Sequence, residues 1–423
     1  MKIINSKELK DNNHEFFKTI ELEALNDAEK IIEDVKNNGD SAIIKYSKDF
    51  GDGSFSSSND FLVSEQEIEK ALNSIEQKTI NTIEKCINNI KYFAQKQFEC
   101  IKSLDIEIKK SHLGHRITPL ERVLCYVPGG NYPLPSSAMM TAIPARVAGV
   151  KEIMLTSPKI KAQTIAAAKL SGADKIYKLG GVQAISAFAY GTQSILPVDK
   201  IVGPGNKYVT FAKKFVYGKC SIDFLAGPSE VLIVADNKQD PQIISADLLA
   251  QCEHDKDARG YLICFSEEFA KKVQKSALKQ LKQLKTSNVA EISFEKSIAV
   301  VVDNLEEAIQ IANKRAPEHL ELMFDGAQEK ADNFINYGSL FIGKYCAEVF
   351  GDYCSGTNHV LPTNSAARYT GGLSVFDFIK IQTYQTISQE YAKELSELAS
   401  EIAACEGLLA HKLASDIRGK NEI

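Results

Sequence analysis

At 423 residues the chain has room for roughly two to three domains and a sizeable buried core. Its apolar fraction of 44% and charged fraction of 25% are those of a globular protein. A net charge of −5, with no long run of Lys or Arg, argues against nucleic acid or an anionic membrane as a partner. The start, Met1-Lys2-Ile3-Ile4-Asn5, lacks the apolar stretch of a signal peptide, and no segment reaches the ~18 apolar residues of a membrane span. Nine cysteines stand singly, an odd number without a CxxC pair. That pattern fits reduced thiols in a cytoplasmic protein and opposes a disulfide or Cys-rich zinc framework.

Residues 1–22 read as an N-terminal arm or short helical segment. Leu22, Leu25, Ile32 and Val35 then recur at helical steps up to Gly39, and 51–59 is a Gly/Ser-rich loop. From Ser64, the run Ile68, Leu72, Ile75, Ile80, Ile83, Cys86, Ile87, Ile90 and Phe93 predicts one amphipathic scaffold helix of about 30 residues. His14, His112 and His115 have no cluster of ligand-type neighbours and read as surface residues.

Between 120 and 236 short apolar runs alternate with helical ones, and each run ends in a turn. The run 123–127 leads to Pro128-Gly129-Gly130, 175–179 to Gly180-Gly181, and 200–202 to Gly203-Pro204-Gly205-Asn206. The strand at 231–235 follows Ala226-Gly227-Pro228-Ser229-Glu230. This alternation predicts a parallel sheet with helices on its faces and ligands at the carboxyl ends of the strands. The pattern repeats downstream: helix 241–252, strand 261–265, helix 267–284, strand 298–302, helix 305–315 and strand 319–324. A buried strand at 339–343 precedes an irregular polar loop, 351–363, carrying Asp352 and His359. From 376 the chain reads as helical, with 387–413 the main piece.

Three glycine turns at strand ends of one sheet are a moderate signal for a nucleotide. Backbone N–H groups at the helix start after Gly180-Gly181 favour phosphate, and Tyr126 is placed to stack on a ring. Neither G-x-G-x-x-G nor a Walker A sequence is present, so the ordinary dinucleotide fingerprint is missing. In Gln251-Cys252-Glu253-His254, Gln251 and His254 share a helix face and would serve as zinc ligands if a carboxylate and a second His complete the shell. In Pro317-Glu318-His319, an acid and an imidazole stand side by side at the head of a strand, facing opposite ways. His319 has the natural pKa for a base near neutrality, though a solvated, capped strand start fits the dipeptide as well. Glu406 and His411 lie in the tail helix, five residues apart and off one stripe. Four of the seven histidines, 254, 319, 359 and 411, thus fall late in the chain near a Gln, Glu or Asp.

Taken together and in order, these motifs resemble the histidinol dehydrogenase family. The resemblance runs through Tyr126-Val127-Pro128-Gly129-Gly130, Gly180-Gly181-Val182-Gln183, Gly203-Pro204-Gly205-Asn206, Ala226 to Val231, Gln251 to His254, Pro317-Glu318-His319-Leu320, residues 351–363 and Ala410-His411-Lys412. It implies a homodimeric enzyme that oxidises L-histidinol through L-histidinal to L-histidine, with Zn2+ and two NAD+. By motif, Gln251, His254, Asp352 and His411 would hold zinc, with His411 and Glu406 supplied in trans by the tail. Ser229, His359 and Glu406 would contact substrate along with the zinc ligands and His319. His319 would be the proton-abstracting base, and Glu318 the residue that activates water. Tyr126, Gln183 and Asn206 would lie at the nucleotide. Cys252 and Asp255 depart from the small residues of the family pattern; Cys252 is a soft donor beside the zinc ligands, but one step round the helix it should point away.

The resulting expectation is an α/β chain with two Rossmann-like parallel-sheet domains and small helical terminal segments used for dimerisation. Residues 125–230 would form the nucleotide domain, 23–124 with 231–375 the zinc and catalytic domain, 1–22 an arm and 376–423 the tail. A zinc hydrolase, or a nucleotide-binding or structural zinc protein, would use some of the same residues without forming NADH.

Overall fold

The computed structural model describes residues 1–10, 14–18, 26–129 and 132–420. The chain opens with strand β1 (Lys2–Asn5), then helices α1 (Asn26–Asn38) and α2 (Asp40–Asp49). Of the first helical run, Leu22 and Leu25 lie outside the described residues, while Ile32 and Val35 are buried. The single long helix expected from Ser64 is instead two, α3 (Glu65–Asn73) and α4 (Gln77–Glu99). Ser64 starts α3 with a reciprocal cap: its hydroxyl accepts from Glu67 N at 3.2 Å, and its own N–H donates to the Glu67 carboxylate at 2.8 Å. The break comes at Ser74, whose hydroxyl donates back to Ala71 O at 2.8 Å. The five-residue step from Ile75 to Ile80 is the trace of that break in the apolar pattern.

A hairpin of β2 (Leu104–Ile108) and β3 (Ser111–Pro119) leads into the first α/β unit. Its strands are β4 (Arg122–Tyr126), β5 (Glu152–Thr156), β6 (Lys175–Tyr177), β7 (Lys200–Val202) and β8 (Ser221–Ile222). Between them run α5 (Pro135–Ala148), α6 (Ala162–Leu170), α7 (Gly181–Tyr190) and α8 (Lys207–Val216). The order β6-β5-β4-β7-β8 is parallel throughout. Helix α5 is buried on nearly every side, so something must cover its outer face. The cover comes from the N-terminal helices. The apolar stripe of α4 packs on α5, α3 on α6, and α1 with α2 on α7. Residues 26–99 therefore pack on the five-stranded unit, whereas the expected grouping had set 23–124 with 231–375.

The second unit holds β9 (Glu230–Ala235), α9 (Pro241–Cys252), β10 (Arg259–Cys264), α10 (Glu267–Leu281), α11 (Ser287–Glu295), β11 (Ile298–Val301), α12 (Leu305–Arg315), β12 (His319–Met323), the short α13 (Ala327–Lys330), β13 (Ser339–Ile342) and α14 (Glu348–Tyr353). Helix α11 lies where no helix was expected, and α14 takes in the first three residues of the expected polar loop. The sheet runs β1-β11-β10-β9-β12-β13, again parallel throughout. Its strands are apolar on both faces, as sandwiching between helices requires.

The tail departs further from expectation. Before its helices comes β14 (Ile379–Thr386), antiparallel to β3 in a three-stranded sheet. Its alternation Ile379, Ile381, Thr383 has a period of two, but the partner strand lies some 260 residues earlier in the chain. Helices α15 (Gln389–Cys405) and α16 (Leu409–Gly419) then fold back on each other. No helix among the described residues is long and apolar enough to cross a membrane.

Candidate functional site

The chemically dense residues gather at the amino-terminal edge of the six-stranded sheet, not at the carboxyl edge expected for such a fold. Glu230 opens β9, His319 opens β12, and α9 delivers Gln251 and His254 just before β10 begins at Arg259. In the register, Arg259 stands beside Glu230 and His319 beside Val231, so three strand starts are level. Helix α14 then returns Glu348 and Asp352 to the same edge.

His319 is the centre of the cluster and is 3% exposed. Its Nδ1 lies 3.1 Å from Glu230 O, an acceptor only, so Nδ1 carries the hydrogen and Nε2 is left for chemistry. Nε2 makes no hydrogen bond and stands 3.4 Å from Asp352 Oδ1. Around the ring, Nδ1 is 3.7 Å from Glu318 Oε2 and 3.9 Å from Glu348 Oε1. Glu318 and His319 are therefore neighbours on one site, where simple strand alternation had them facing apart. Glu318 precedes the first residue of β12, and its Oε2 accepts from Glu230 N at 2.8 Å. His359, from the chain after α14, donates Nδ1–H to Asp352 O at 2.8 Å.

The electrostatics of this edge are dominated by buried acid. Burial pushes Glu318 and Glu348 each up to about 8. For His319, burial would favour the neutral ring, but Glu348, Glu318 and Asp352 outweigh it and hold the imidazole well above its usual value. Asp352 is buried too, yet His319 and the neighbouring imidazoles hold its carboxyl below the ordinary range. Behind them Glu321, fully buried in β12, accepts from Glu348 N at 3.0 Å. Carboxyl groups outnumber the basic groups that face them here, and a bound cation would favour their charged forms.

The donor set fits a metal. One ligand atom each from His254, Glu348 and Asp352 lies within 4.8 Å of the others. Gln251 is fully buried, and neither its Oε1 nor its Nε2 has a hydrogen-bond partner among the described residues. A buried amide left unpaired is costly unless something absent from the chain completes it. A carbonyl oxygen, an imidazole and carboxylates suit zinc. Cys252 points elsewhere as expected: its Sγ lies 3.6 Å from Ser297 Oγ. His411 and Glu406 are not brought to this edge. His411 is exposed in α16 and Glu406 is exposed where α15 ends, so within one chain the third charged donor is Glu348.

The expected nucleotide residues do lie at the carboxyl edge of the other sheet, in roles the motifs did not foretell. Tyr126 ends β4 but is 3% exposed, and its hydroxyl accepts from Gly181 N at 3.2 Å. It is no open stacking platform, and one of the N–H groups expected to face a phosphate is already satisfied. Gln183 is fully buried and its Nε2 donates to Asp52 Oδ2 at 3.0 Å. Asn206 is exposed and caps α8, its Oδ1 accepting from Tyr208 N at 3.0 Å and Val209 N at 3.1 Å. Gly203 has φ +110°, and a Cβ there would stand 2.1 Å from Tyr126 O, so the turn admits no side chain. Gly130 lies outside the described residues. Ser229 is half-buried just before β9, its carbonyl accepting from Arg259 N at 3.1 Å.

The family model for histidinol dehydrogenase matches residues 18–419. Histidinol dehydrogenase of Methanocaldococcus jannaschii is 43% identical over 90% of this chain and 89% of its own length. That of Aquifex aeolicus is 42% identical over 95% and 94%. The crystal structure of histidinol dehydrogenase from Elizabethkingia anophelis superposes with a TM-score of 0.91 at 34% identity, covering 99% of this chain and 98% of that one. The chain belongs to the histidinol dehydrogenase family. By family it is an enzyme and an oxidoreductase, which rules out the non-enzymatic alternative, a nucleotide-binding or structural zinc protein.

The sequence motifs assign no role to Glu348, Glu321, Glu230 or Arg315. Glu348 had a readable signal, standing four residues before Asp352, one helical turn. The density of Gly, Ser and Thr that follows concealed that turn.

Proposed function

We propose that the enzyme carries out the four-electron oxidation of L-histidinol to L-histidine through L-histidinal, ending histidine biosynthesis, with zinc and two NAD+ used in succession. The observation that carries this reading is the fully buried Gln251 amide, without a hydrogen-bond partner among the described residues and three residues before His254, whose ring clusters with Asp352 next to His319. Gln251, His254 and Asp352 would hold the metal together with the partner subunit's His411. Bound zinc supplies an anchor for the substrate's amine and imidazole nitrogens, and bound NAD+ supplies the hydride acceptor at each oxidation.

In the neutral ring Nδ1–H is donated to Glu230 O, which leaves Nε2 as the atom that takes the hydroxyl proton as hydride leaves the carbinol carbon. For the aldehyde, Glu318 takes a proton from the water whose oxygen bonds to the carbonyl carbon, giving the gem-diol as its monoanion, from which the second hydride leaves to NAD+. A carboxyl near pKa 8 is well matched to that exchange, since it holds or releases a proton within the working range. Ser229, His359 and Glu406 would orient the substrate, and Tyr126, Gln183 and Asn206 would shape the nucleotide edge.

A homodimer is part of the reading. Helix α16 buries no residue within its own chain, and Leu409, Leu413 and Ile417 form an exposed stripe along it at four-residue spacing. A stripe of that kind on the helix that carries His411 favours docking on a second subunit. Unpaired thiols throughout the described residues fit a cytoplasmic enzyme.

The test is NADH absorbance on mixing metal-replete enzyme, L-histidinol and NAD+, with and without a chelator. Two NADH per histidinol, abolished by chelation and restored by zinc, is the expected result. No NADH from zinc-loaded protein would overturn the proposal.

A further inference from the structure

Glu230 lies in the stretch Ala226 to Glu230 at the threshold of β9, and none of the roles above uses it. Its main chain nevertheless touches both proposed catalytic residues. Its N–H donates to Glu318 Oε2 at 2.8 Å, and its C=O accepts from His319 Nδ1 at 3.1 Å. One residue thus sets the placement of the carboxylate and the tautomer of the imidazole.

The side chain of Glu230 is held in turn. It is 2% exposed and pairs with the guanidinium of Arg315, itself 4% exposed at the end of α12. The guanidinium carbon stands 4.7 Å from the centroid of the Tyr261 ring in β10, and Ser365 Oγ donates to Arg315 O at 2.7 Å. Arg315 is two residues before Pro317 and three before Glu318. One ion pair therefore ties the start of β9 to the segment that delivers Glu318 and His319.

This pair is a poor device for stability alone. Two buried charges lose their hydration, and Arg315 Nε, Arg315 Nη1 and Glu230 Oε1 have no hydrogen-bond partner among the described residues. An apolar pair of the same volume would hold the two elements together at least as well. It would not fix the azimuth of the Glu230 peptide, because apolar contacts carry no direction. The charge-assisted hydrogen bond from Arg315 Nη2 to Glu230 Oε2 does carry one.

We infer that Arg315 is a positioning residue: through its ion pair with Glu230 it orients the one peptide residue that holds both Glu318 and His319 in working geometry. The inference rests on the proposed roles of Glu318 and His319. Because the clamp serves both, its loss lowers both oxidations together, whereas a defect in one catalytic side chain alone would weigh on the step that uses it.

The experiment uses the full-length enzyme loaded with zinc. Rates are measured separately from L-histidinol and from L-histidinal for wild type, Arg315→Met, Arg315→Lys and His319→Ala. Arg315→Met is expected to lower kcat by about 10–100-fold from both substrates, by a common factor, because small misplacement of catalytic groups has effects of that size. KM for histidinol and bound zinc stay at wild-type values, and Arg315→Lys recovers most of kcat by restoring the cation. If Arg315→Met does not fold, Glu230→Gln is read by the same criteria. A folded, zinc-replete Arg315→Met (or Glu230→Gln) enzyme with wild-type kcat overturns the inference. So does a loss confined to one substrate, or one that follows zinc or KM. His319→Ala separates the two levels: wild-type activity in that variant sinks the reading of the site itself, while an inactive His319→Ala beside a fully active Arg315→Met sinks only the clamp.

Discussion

The two parallel sheets share one winding order and use opposite edges. In the first unit β4 is central, with β5 and β6 to one side and β7 and β8 to the other; in the second β9, β10, β11, β12 and β13 repeat that order, and β1 is added at the rim. The five-stranded sheet ends its strands in glycine turns at the carboxyl edge, next to helix starts rich in backbone N–H groups. The six-stranded sheet gathers Glu230, Gln251, His254, Glu318, His319, Glu348 and Asp352 at its amino edge. Winding order alone therefore does not say where the chemistry lies. What separates the edges is charge: the amino edge holds several buried carboxyl groups and suits a cation and an amine, while the helix starts at the carboxyl edge satisfy N–H groups of their own, as at Gly181, Tyr208 and Val209.

If that division of labour holds, each edge can be damaged without the other. The largest effect belongs to His319→Ala, which removes the base and should cost about 10²–10⁴-fold in histidinol oxidation. Its NAD+ affinity and zinc content should match wild type, measured by fluorescence titration and metal analysis. A parallel loss of NAD+ binding would mean that the edges are not separable.

A smaller effect is expected from Gly203→Ala at the opposite edge. The added Cβ meets Tyr126 O in backbone that cannot yield cheaply, at a φ of +110°. Overpacking of that kind costs about 1–3 kcal/mol of stability. Thermal melts should show the loss, NAD+ should bind more weakly, and zinc should be retained. Unchanged NAD+ affinity in a measurably destabilised variant would remove the nucleotide from this edge.

Much of the fold was legible because the evidence for it is local. Alternating apolar runs and glycine turns placed β4 to β7 and β9 to β13, and ordered motifs placed Gln251, His254, Glu318, His319 and Asp352. What was hidden depends on distant or unpatterned partners. β14 is recognisable only once β3 is available to pair with it. The break between α3 and α4 leaves only the five-residue step from Ile75 to Ile80 in the apolar pattern. The packing of α1 to α4 on the first unit depends on which of two apolar surfaces lies uncovered, and the covered face of α5 decides it. Tyr126 carries an aromatic ring suited to stacking, yet a hydrogen bond to Gly181 N turns it inward. Glu348 and Arg315 carry no motif; only the fold shows that their charges are buried against His319 and Glu230.

The division between edges is tested most directly by measuring zinc content and NAD+ affinity on the same preparation of Asp352→Asn. Asp352 Oδ1 faces His319 and Oδ2 lies 4.0 Å from His254 Nε2, so the carboxylate stands at the centre of the amino edge. The account predicts that bound zinc is lost while the Kd for NAD+ stays at its wild-type value. A variant that keeps its full complement of zinc, or loses NAD+ affinity along with the metal, would contradict it.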